Sequence, residues 1–490
     1  MDIVIISVFV VYFCTLIGIG LYFYKRNQTA EDFMLGNRSV NYWVTAIATQ
    51  ATDMGSWLFL GLPAVVFTRG MFEAWVAIGL VVGMWLSWTF VAPKLREKTA
   101  ELESLTLSSY FASCFGDKSG SIQLMSSCFA LIFFTFYIAS GLVGLSLVFS
   151  SAFGIAYETG IVLSLVTTAL YTLIGGFVAV AWCDFFQGIF LVIMIAIVPL
   201  YAIYMMQGIS PIISAAHLHG ISLSLLSSPK ETLWALFLAA SWGLGYFGQP
   251  HILVNFMGID DPTKLKAARL IGITWQILVL VAAVAIGIIG IGFFPEGLAN
   301  AQLIFITITK MMFHPFVAGM ILCAILAATL STMDSLILVA GSTIAEDIYK
   351  KFIHPSAPSD SLLWVSRVGS IVISLIALGL AWTNNNTVYE LVNYAWSGLG
   401  STFGPLVLTS LYYPAITGTG ALAGLIVGGT VAAVWPLFSG LLPLVPAFSA
   451  SLLTIIIVSK LTQKPSLVGN PMSFRLYRWL RQSIKRTSCI

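Results

Sequence analysis

The sequence predicts an all-α polytopic membrane protein. Of its 490 residues, 58% are hydrophobic and only 9% are charged, which is outside the range of soluble globular domains. Apolar runs long enough to cross a bilayer follow one another along the chain, and the stretches between them are too short to form a soluble domain. A carboxylate, Asp53, lies in the middle of one such run, at a depth where membrane proteins place functional groups.

About thirteen apolar runs of roughly 18 to 25 residues are candidate transmembrane helices. Their centres lie near residues 12, 55, 82, 138, 169, 194, 244, 282, 328, 373, 401, 428 and 454. The first run has no basic segment before it and is followed by Lys25 and Arg26, which predicts a retained helix and not a cleaved signal peptide. We expect residues 1–463 to form one transmembrane domain and residues 464–490 a basic tail.

The basic residues predict the orientation of the chain. With the N-terminus outside and the C-terminus inside, most Lys and Arg side chains lie on the cytoplasmic side, and only Arg69, Lys230 and Lys310 lie outside. The tail interleaves basic and aromatic residues, so we expect it to lie along the anionic inner leaflet. Nucleic-acid binding and a required protein partner have no support, and the Cys and His residues lack the spacing of metal ligands.

Two of the predicted spans are interrupted by glycine and proline. The second carries ATDMGSWLFLGLP at 51–63 and the seventh carries SWGLGYFGQPHIL at 241–253. Spans two and seven cross in opposite directions, as do the paired broken helices of transporters with inverted repeats, whose binding sites lie at the membrane midplane. The alternative is that glycine and proline only allow neighbouring helices to pack closely.

The ninth predicted span carries a stripe of small and hydroxyl side chains. Ala328, Ser331, Thr332 and Ser335 follow at i, i+3, i+4 and i+7, so they share one helix face. This pattern is typical of a tight helix seam with interhelical hydrogen bonds. It equally suits a hard cation, which prefers oxygen ligands.

Two further carboxylates lie in or beside apolar spans. Asp334 is one residue off the stripe, where it either pairs with a buried polar group or binds a proton or cation. Asp184 lies near the start of the sixth span, where it is either functional or a helix-start residue favoured by the helix dipole.

Several runs in the same order and spacing resemble the solute:sodium symporter family. They include DMxxWLxxGLP around Asp53, FTFYIASG around Tyr137, YTLIGGFVAVAWCDFFQG at 171–188, WGLGYFGQPHIL from Trp242, and YAWSGLG from Tyr394. The resemblance covers nearly the whole chain. It implies a LeuT-type fold of two inverted five-helix repeats, at about 42–206 and 232–413, with a sodium site between the second and ninth spans.

The resemblance also implies roles for individual residues. Sodium would be held by the carbonyls of Ala51, Met54 and Ala328 and by the hydroxyls of Ser331 and Thr332. Asp53, Asp184, Asp334 and Ser335 would take part in coupling or in a second cation site. The second site is suggested by the ninth span, where Asp334 and Ser335 depart from the family pattern. The substrate cavity would be formed by Ser56, Trp57, Tyr137, Trp242, Tyr246, Gln249 and Pro250. For the aromatic members of that set, anchoring at the membrane interface is the alternative.

The function implied is sodium-coupled import of a small solute by alternating access in a bacterial plasma membrane. L-Proline is the expected solute, and another amino acid, a carboxylate or a vitamin is the alternative. An intramembrane aspartyl protease is a remote rival, because it requires two aspartates within hydrogen-bond reach of one water. No enzyme activity is expected.

Overall fold

In the computed structural model the chain folds as a bundle of helices. The structure describes residues 3–24, 29–226, 229–383 and 386–463. The predicted tail at 464–490, together with Lys25 and Arg26, lies outside the described residues.

The described residues of the first half of the chain form ten α-helices. They are α1 (Ile3–Tyr24), α2 (Ala30–Leu35), α3 (Tyr42–Asp53), α4 (Leu62–Arg69), α5 (Ala74–Leu86), α6 (Ala92–Glu101), α7 (Leu107–Phe115), α8 (Ser121–Phe153), α9 (Tyr157–Met205) and α10 (Ser210–His219). π-Helical turns at Trp57–Gly61 and Ser87–Val91 lead into α4 and α6. Within α9, Gly176 leaves the helical conformation at φ 65° and ψ 176°, which separates the fifth predicted span from the sixth.

Nine α-helices are found in the part of the second half that the structure describes, up to residue 463. They are α11 (Pro229–Gly243), α12 (Pro250–Gly258), α13 (Leu265–Phe293), α14 (Ile304–Met312), α15 (Pro315–Ser342), α16 (Ser359–Thr383), α17 (Val388–Tyr412), α18 (Gly418–Val434) and α19 (Leu444–Thr462). A 3₁₀ turn at Leu244–Phe247 follows α11, and a π-helix at Thr343–Ile353 continues α15. Shorter 3₁₀ turns lie at Gly36–Arg38, Met71–Glu73, Pro262–Lys264, Ala301–Leu303 and Trp435–Leu437.

Helical segments overlap every predicted span. In the described part of the chain, eight helices are long and apolar enough to cross a membrane, or nine if one bent pair counts as a single span. That pair is Tyr42–Asp53 with Trp57–Arg69, which meet at 53°, so the predicted interruption of the second span is confirmed.

The ninth predicted span is the central helix of the bundle. All side chains from 321 to 338 in α15 are buried, and the helix packs against α1, α3, α8, α9 and α16. A helix buried on every side has no lipid-facing surface in its middle, so its polar residues all face protein.

The two interrupted helices lie side by side and are joined at one end. Val40 precedes α3 and Ile259 follows α12, and the two residues form a parallel bridge. The Val40 amide donates to Gly258 O at 3.2 Å, and the Asp260 amide donates to Val40 O at 2.9 Å. This link places both breaks in the same part of the bundle.

Close packing accounts for Gly243 in the seventh span, where an added Cβ would lie 2.5 Å from Gly79 O. A Cβ on Gly83 of α5 would lie 2.1 Å from Gly243 O, and one on Gly79 would lie 2.1 Å from Ala239 O. The backbones of α5 and α11 therefore touch. The close-packing explanation holds for Gly243, and the break follows immediately after it.

Candidate cation and solute site

The break in the second span frees a backbone carbonyl at the end of α3. Met54 has φ −91° and ψ 69°, which are not helical angles. The Gly55 amide, which would bond to Ala51 O in an unbroken helix, instead donates to Asp53 O at 3.2 Å. Ala51 O is therefore available to a donor from another helix.

The hydroxyl stripe of α15 faces this break. Ser331 Oγ lies 2.8 Å from Ala51 O and 2.9 Å from Ala328 O, and Thr332 Oγ1 lies 3.2 Å from Ala328 O. A Cβ on Gly55 would come within 2.9 Å of Thr332 Oγ1, so only glycine leaves that hydroxyl its space.

The structure brings together four of the five residues to which the resemblance assigns sodium. Ala51, Ala328, Ser331 and Thr332 are all buried and are joined by the contacts above, and Met54 lies next to Gly55 in the same break. The Ser331 hydroxyl makes the interhelical hydrogen bond that is expected of a seam, to Ala51 O, whereas Thr332 bonds within α15. The same oxygens form a compact donor set of the kind that a hard cation accepts.

Asp53 faces the other interrupted span. Tyr246 Oη donates to Asp53 Oδ2 at 2.5 Å, and Gln276 Nε2 donates to Tyr246 Oη at 2.8 Å. Trp57 Nε1 donates to the Asp53 carbonyl at 3.0 Å. The Asp53 side chain is fully buried at 0% exposure, so these bonds replace part of the water it has lost.

Asp184 forms a second polar cluster with the helices of the break. Thr52 Oγ1 donates to Asp184 Oδ2 at 2.9 Å, and Ser335 Oγ lies 3.4 Å from the same oxygen and 3.2 Å from Thr52 Oγ1. Asp184 is buried two turns beyond Gly176. The helix-start explanation is therefore wrong, since free amides occur only in the first turn. Asp334 is also fully buried, next to Ser335 in α15.

Aromatic side chains surround the break in the seventh span. Trp242 stacks on Trp57 with ring centroids 5.9 Å apart and contacts Tyr389 at 5.2 Å and Trp396 at 6.3 Å. The edge of Tyr246 meets Trp396 at 5.0 Å. Interface anchoring is the wrong explanation for Trp242 and Tyr246, because both are buried in the bundle.

A small cavity lies beside the first break. Three of the predicted substrate residues, Ser56, Trp57 and Tyr137, line it. The other lining residues are Gly55, Ser140, Gly141, Thr329, Thr332, Met333 and Val392. The cavity therefore borders both the break and the Thr332 hydroxyl.

The remaining predicted substrate residues lie around the second break and do not line this cavity. Trp242 stands behind Trp57, and Tyr246 is bonded to Asp53. Gln249 Nε2 donates to Trp396 O at 3.0 Å. Pro250, the first residue of α12, lines a separate cavity together with residues from α7, α15 and α17.

Sequence reasoning missed four residues that belong to this site: His251, Gln276, Tyr389 and Trp396. His251 meets the Tyr137 ring edge to face at 5.4 Å. Gln276 carried a usable signal, because it is the one amide side chain inside the apolar run at 270–293. Tyr389 and Trp396 lie on α17. Trp396 is part of the YAWSGLG run, but nothing in the sequence shows which aromatic residue faces Trp242.

Comparison with known proteins places these features in a family. Residues 33–428 match the sequence profile of the sodium:solute symporter family. The chain is 40% identical over 456 residues to the high-affinity proline transporter PutP of Bacillus subtilis, covering 91% of this chain and 96% of the relative. It is 40% identical over 469 residues to the sodium/proline symporter of Escherichia coli, covering 94% and 93%. A solved Na+-coupled sialic acid symporter shares the fold with a TM-score of 0.80 at 19% identity, over 94% of this chain and 98% of that one.

Proposed function

The chain belongs to the sodium:solute symporter family, and from that premise we propose that it imports L-proline together with Na+ by alternating access. The family makes it a membrane transporter, not an enzyme, with Na+ as its coupling ion. Support for proline as the solute comes from the relatives named as proline transporters, which match over nearly their full length.

We propose that Na+ binds where the first break meets α15. The ligands would be the carbonyls of Ala51, Met54 and Ala328 and the hydroxyls of Ser331 and Thr332. The contact of 2.8 Å between Ser331 Oγ and Ala51 O is the observation that carries this assignment, because it joins the broken helix to the hydroxyl stripe. Freed carbonyls and hydroxyls in a dry site suit a monovalent hard cation.

The second polar cluster supports a second cation site. Asp184 supplies a buried carboxylate, and Thr52 and Ser335 supply hydroxyls within 3.4 Å of it. Asp334, the residue before Ser335 in α15, is also buried. Because a buried carboxylate needs a partner or a counter-ion, a cation here would offset the cost of burial.

For the solute, the cavity at Ser56, Trp57 and Tyr137 provides an apolar wall with a few hydroxyls, as a small amino acid requires. Trp242, Tyr246, Gln249 and Pro250 lie at the second break, outside this cavity, and would contact the solute when that break moves toward it during the transport cycle. Free backbone amides at the start of a half-helix can donate hydrogen bonds to the carboxylate of the amino acid.

Coupling follows because one segment serves both ligands. The turn 54–56 supplies a carbonyl to the cation cluster and lines the solute cavity with Gly55 and Ser56. Cation binding that orders this turn would raise the affinity for the solute, and the solute must raise the affinity for Na+ by the same factor. Each Na+ moving down the membrane potential supplies about 2.3 kcal/mol per 100 mV.

We further propose thirteen membrane crossings, with the N-terminus outside and the C-terminus inside. Support comes from helical segments in every predicted span and from the distribution of basic residues. The tail at 464–490 would then meet the anionic inner leaflet. No protein partner is required by this scheme.

A purified, reconstituted protein tests the proposal directly. Proteoliposomes with an inward Na+ gradient should accumulate labelled proline, and liposomes with equal Na+ on both sides should not. Unlabelled proline should compete, whereas carboxylates, vitamins and other amino acids should compete weakly. Absence of Na+-driven proline uptake by a correctly inserted protein would refute the proposal.

A further inference from the structure

Gln276 is a buried amide in the middle of α13 that the family resemblance does not assign to the site. Its side chain is 0% exposed, and Nε2 donates to Tyr246 Oη at 2.8 Å. Tyr246 in turn lies 2.5 Å from Asp53 Oδ2. The three side chains come from three different helical segments and form one chain of hydrogen bonds.

With Asp53 ionised, as its proposed role in coupling requires, proton counting fixes the order of donors in this chain. A phenol has a single proton, and a carboxylate has none to give. Tyr246 therefore donates its one hydrogen bond to Asp53, and the phenol oxygen can only accept a bond from Gln276. If the amide were reversed, Gln276 Oε1 would face an oxygen that has no proton left, so Nε2 must be the atom that faces Tyr246.

In this arrangement the two oxygens of the Asp53 carboxylate differ in their hydrogen bonds. Oδ2 is occupied by the Tyr246 proton, whereas Oδ1 is buried and has no hydrogen-bond partner among the described groups. A donor on the far side of a phenol also strengthens the bond that the phenol donates, because hydrogen bonds in a chain polarise one another.

We propose that Gln276 is a positioning residue for Na+ coupling. By donating to Tyr246 it holds the phenol proton on Asp53 Oδ2 and so fixes the orientation of the carboxylate on which coupling depends, leaving Oδ1 without a hydrogen-bond partner among the described groups. The inference rests on the proposed function, since it concerns the Na+ requirement of the same transport cycle.

Two substitutions separate positioning from packing. Gln276→Met keeps the length of the side chain and removes the donor, whereas Gln276→Glu keeps the shape and replaces the donor with a second acceptor that competes with Asp53 for the phenol proton. A packing role predicts less folded protein in both variants and an unchanged Na+ requirement. A positioning role predicts a higher Na+ requirement, larger in Gln276→Glu than in Gln276→Met.

The measurement is the Na+ concentration for half-maximal initial proline uptake in proteoliposomes, with the proline KM at saturating Na+ as the second readout. Loss of one buried hydrogen bond should raise the half-maximal Na+ concentration about three- to tenfold in Gln276→Met and leave the proline KM within about twofold. Ser410→Ala is the matched control. It removes the 3.0 Å partner of another buried phenol, Tyr110, and should leave the Na+ requirement unchanged.

A double-mutant cycle with Tyr246→Phe identifies the route. If Gln276 acts through the phenol, Gln276→Met should add less than about twofold to the Na+ requirement of Tyr246→Phe. Additive effects in the double mutant, or an unchanged Na+ requirement in either Gln276 variant, would overturn the inference. If Gln276→Met does not fold, the Na+ requirement of Gln276→Glu decides the test. Failure of the wild-type protein to transport proline on a Na+ gradient would refute the proposed function instead.

Discussion

The two interrupted helices lie side by side in the bundle but differ in what surrounds their free backbone. The first break, at 54–56, faces the hydroxyls of Ser331 and Thr332 and carries a buried carboxylate at Asp53. The second break, at 244–249, is enclosed by Trp242 and Trp396. The same backbone device thus supports an oxygen-rich surface in one half and an aromatic surface in the other.

The two helices also break by different means. The first leaves helical geometry at Met54 and resumes as a π-helical turn. The second tightens into a 3₁₀ turn, becomes extended at Gln249 with φ −91° and ψ 102°, and restarts at Pro250. The comparison teaches that the facing helix decides the chemistry of each break: α15 brings hydroxyls to the first, and α17 brings an indole to the second. Substitutions of Asp53 or of the hydroxyls that face the first break should therefore change the Na+ requirement. At the second break, apart from Tyr246, which bonds to Asp53, substitutions should change the solute affinity.

The largest effect is expected at the carboxylate of the first break. Asp53→Asn removes the buried charge that balances a cation, so Na+ stimulation of proline uptake should fall on the order of 100-fold while the protein still inserts. Initial uptake rates with and without Na+ measure it. Asp360→Asn, at an exposed position, is the control. Normal Na+ stimulation in Asp53→Asn would remove Asp53 from coupling.

Gly245→Ala should damage the second break severely. An added Cβ would lie 2.0 Å from Trp396 Nε1, inside a pair of helices that cannot separate without breaking the bond from Trp396 Nε1 to Trp242 O. We expect a loss of about 1–3 kcal/mol of stability, seen as a lower melting temperature, together with a higher proline KM. Gly379→Ala is the matched control, because no atom lies within 4 Å of its added Cβ.

Thr332→Ala should raise the Na+ concentration for half-maximal uptake by about tenfold, because it deletes one oxygen of the proposed cation cluster. The proline KM at saturating Na+ should change little. Ser374→Ala, which removes a buried hydroxyl that bonds within α16, serves as the control. A change confined to the proline KM would argue that Thr332 belongs to the solute cavity and not to the cation cluster.

The smallest effect is expected for Gln249→Met, which keeps the side-chain length and loses the bond to Trp396 O. The proline KM should rise about three- to fivefold, with an unchanged Na+ requirement. Kinetic titration of both ligands measures the two constants. If Gln249→Met raised the Na+ requirement as strongly as Thr332→Ala, the division of labour between the two breaks would be wrong.

The sequence predicted the elements of this site better than their partners. Helical periodicity alone placed Ser331 and Thr332 on one face, and composition alone marked both interrupted spans. The family resemblance added Ala51 and Met54, which no periodicity distinguishes from their neighbours. Gln276 and Trp396 were missed, because their importance lies in contacts between helices that are far apart in the chain.

The sequence by itself determined that this is an all-helical membrane protein with two broken spans and a hydroxyl stripe. Those properties depend on local physics: the cost of burying backbone and charge in lipid, and the repeat of the helix. Only the tertiary structure decided that Asp53 turns to Tyr246 while Asp184 turns to Thr52 and Ser335. The reason is that a buried carboxylate takes whichever donors the packed helices bring within about 3 Å, and packing is a property of the whole bundle.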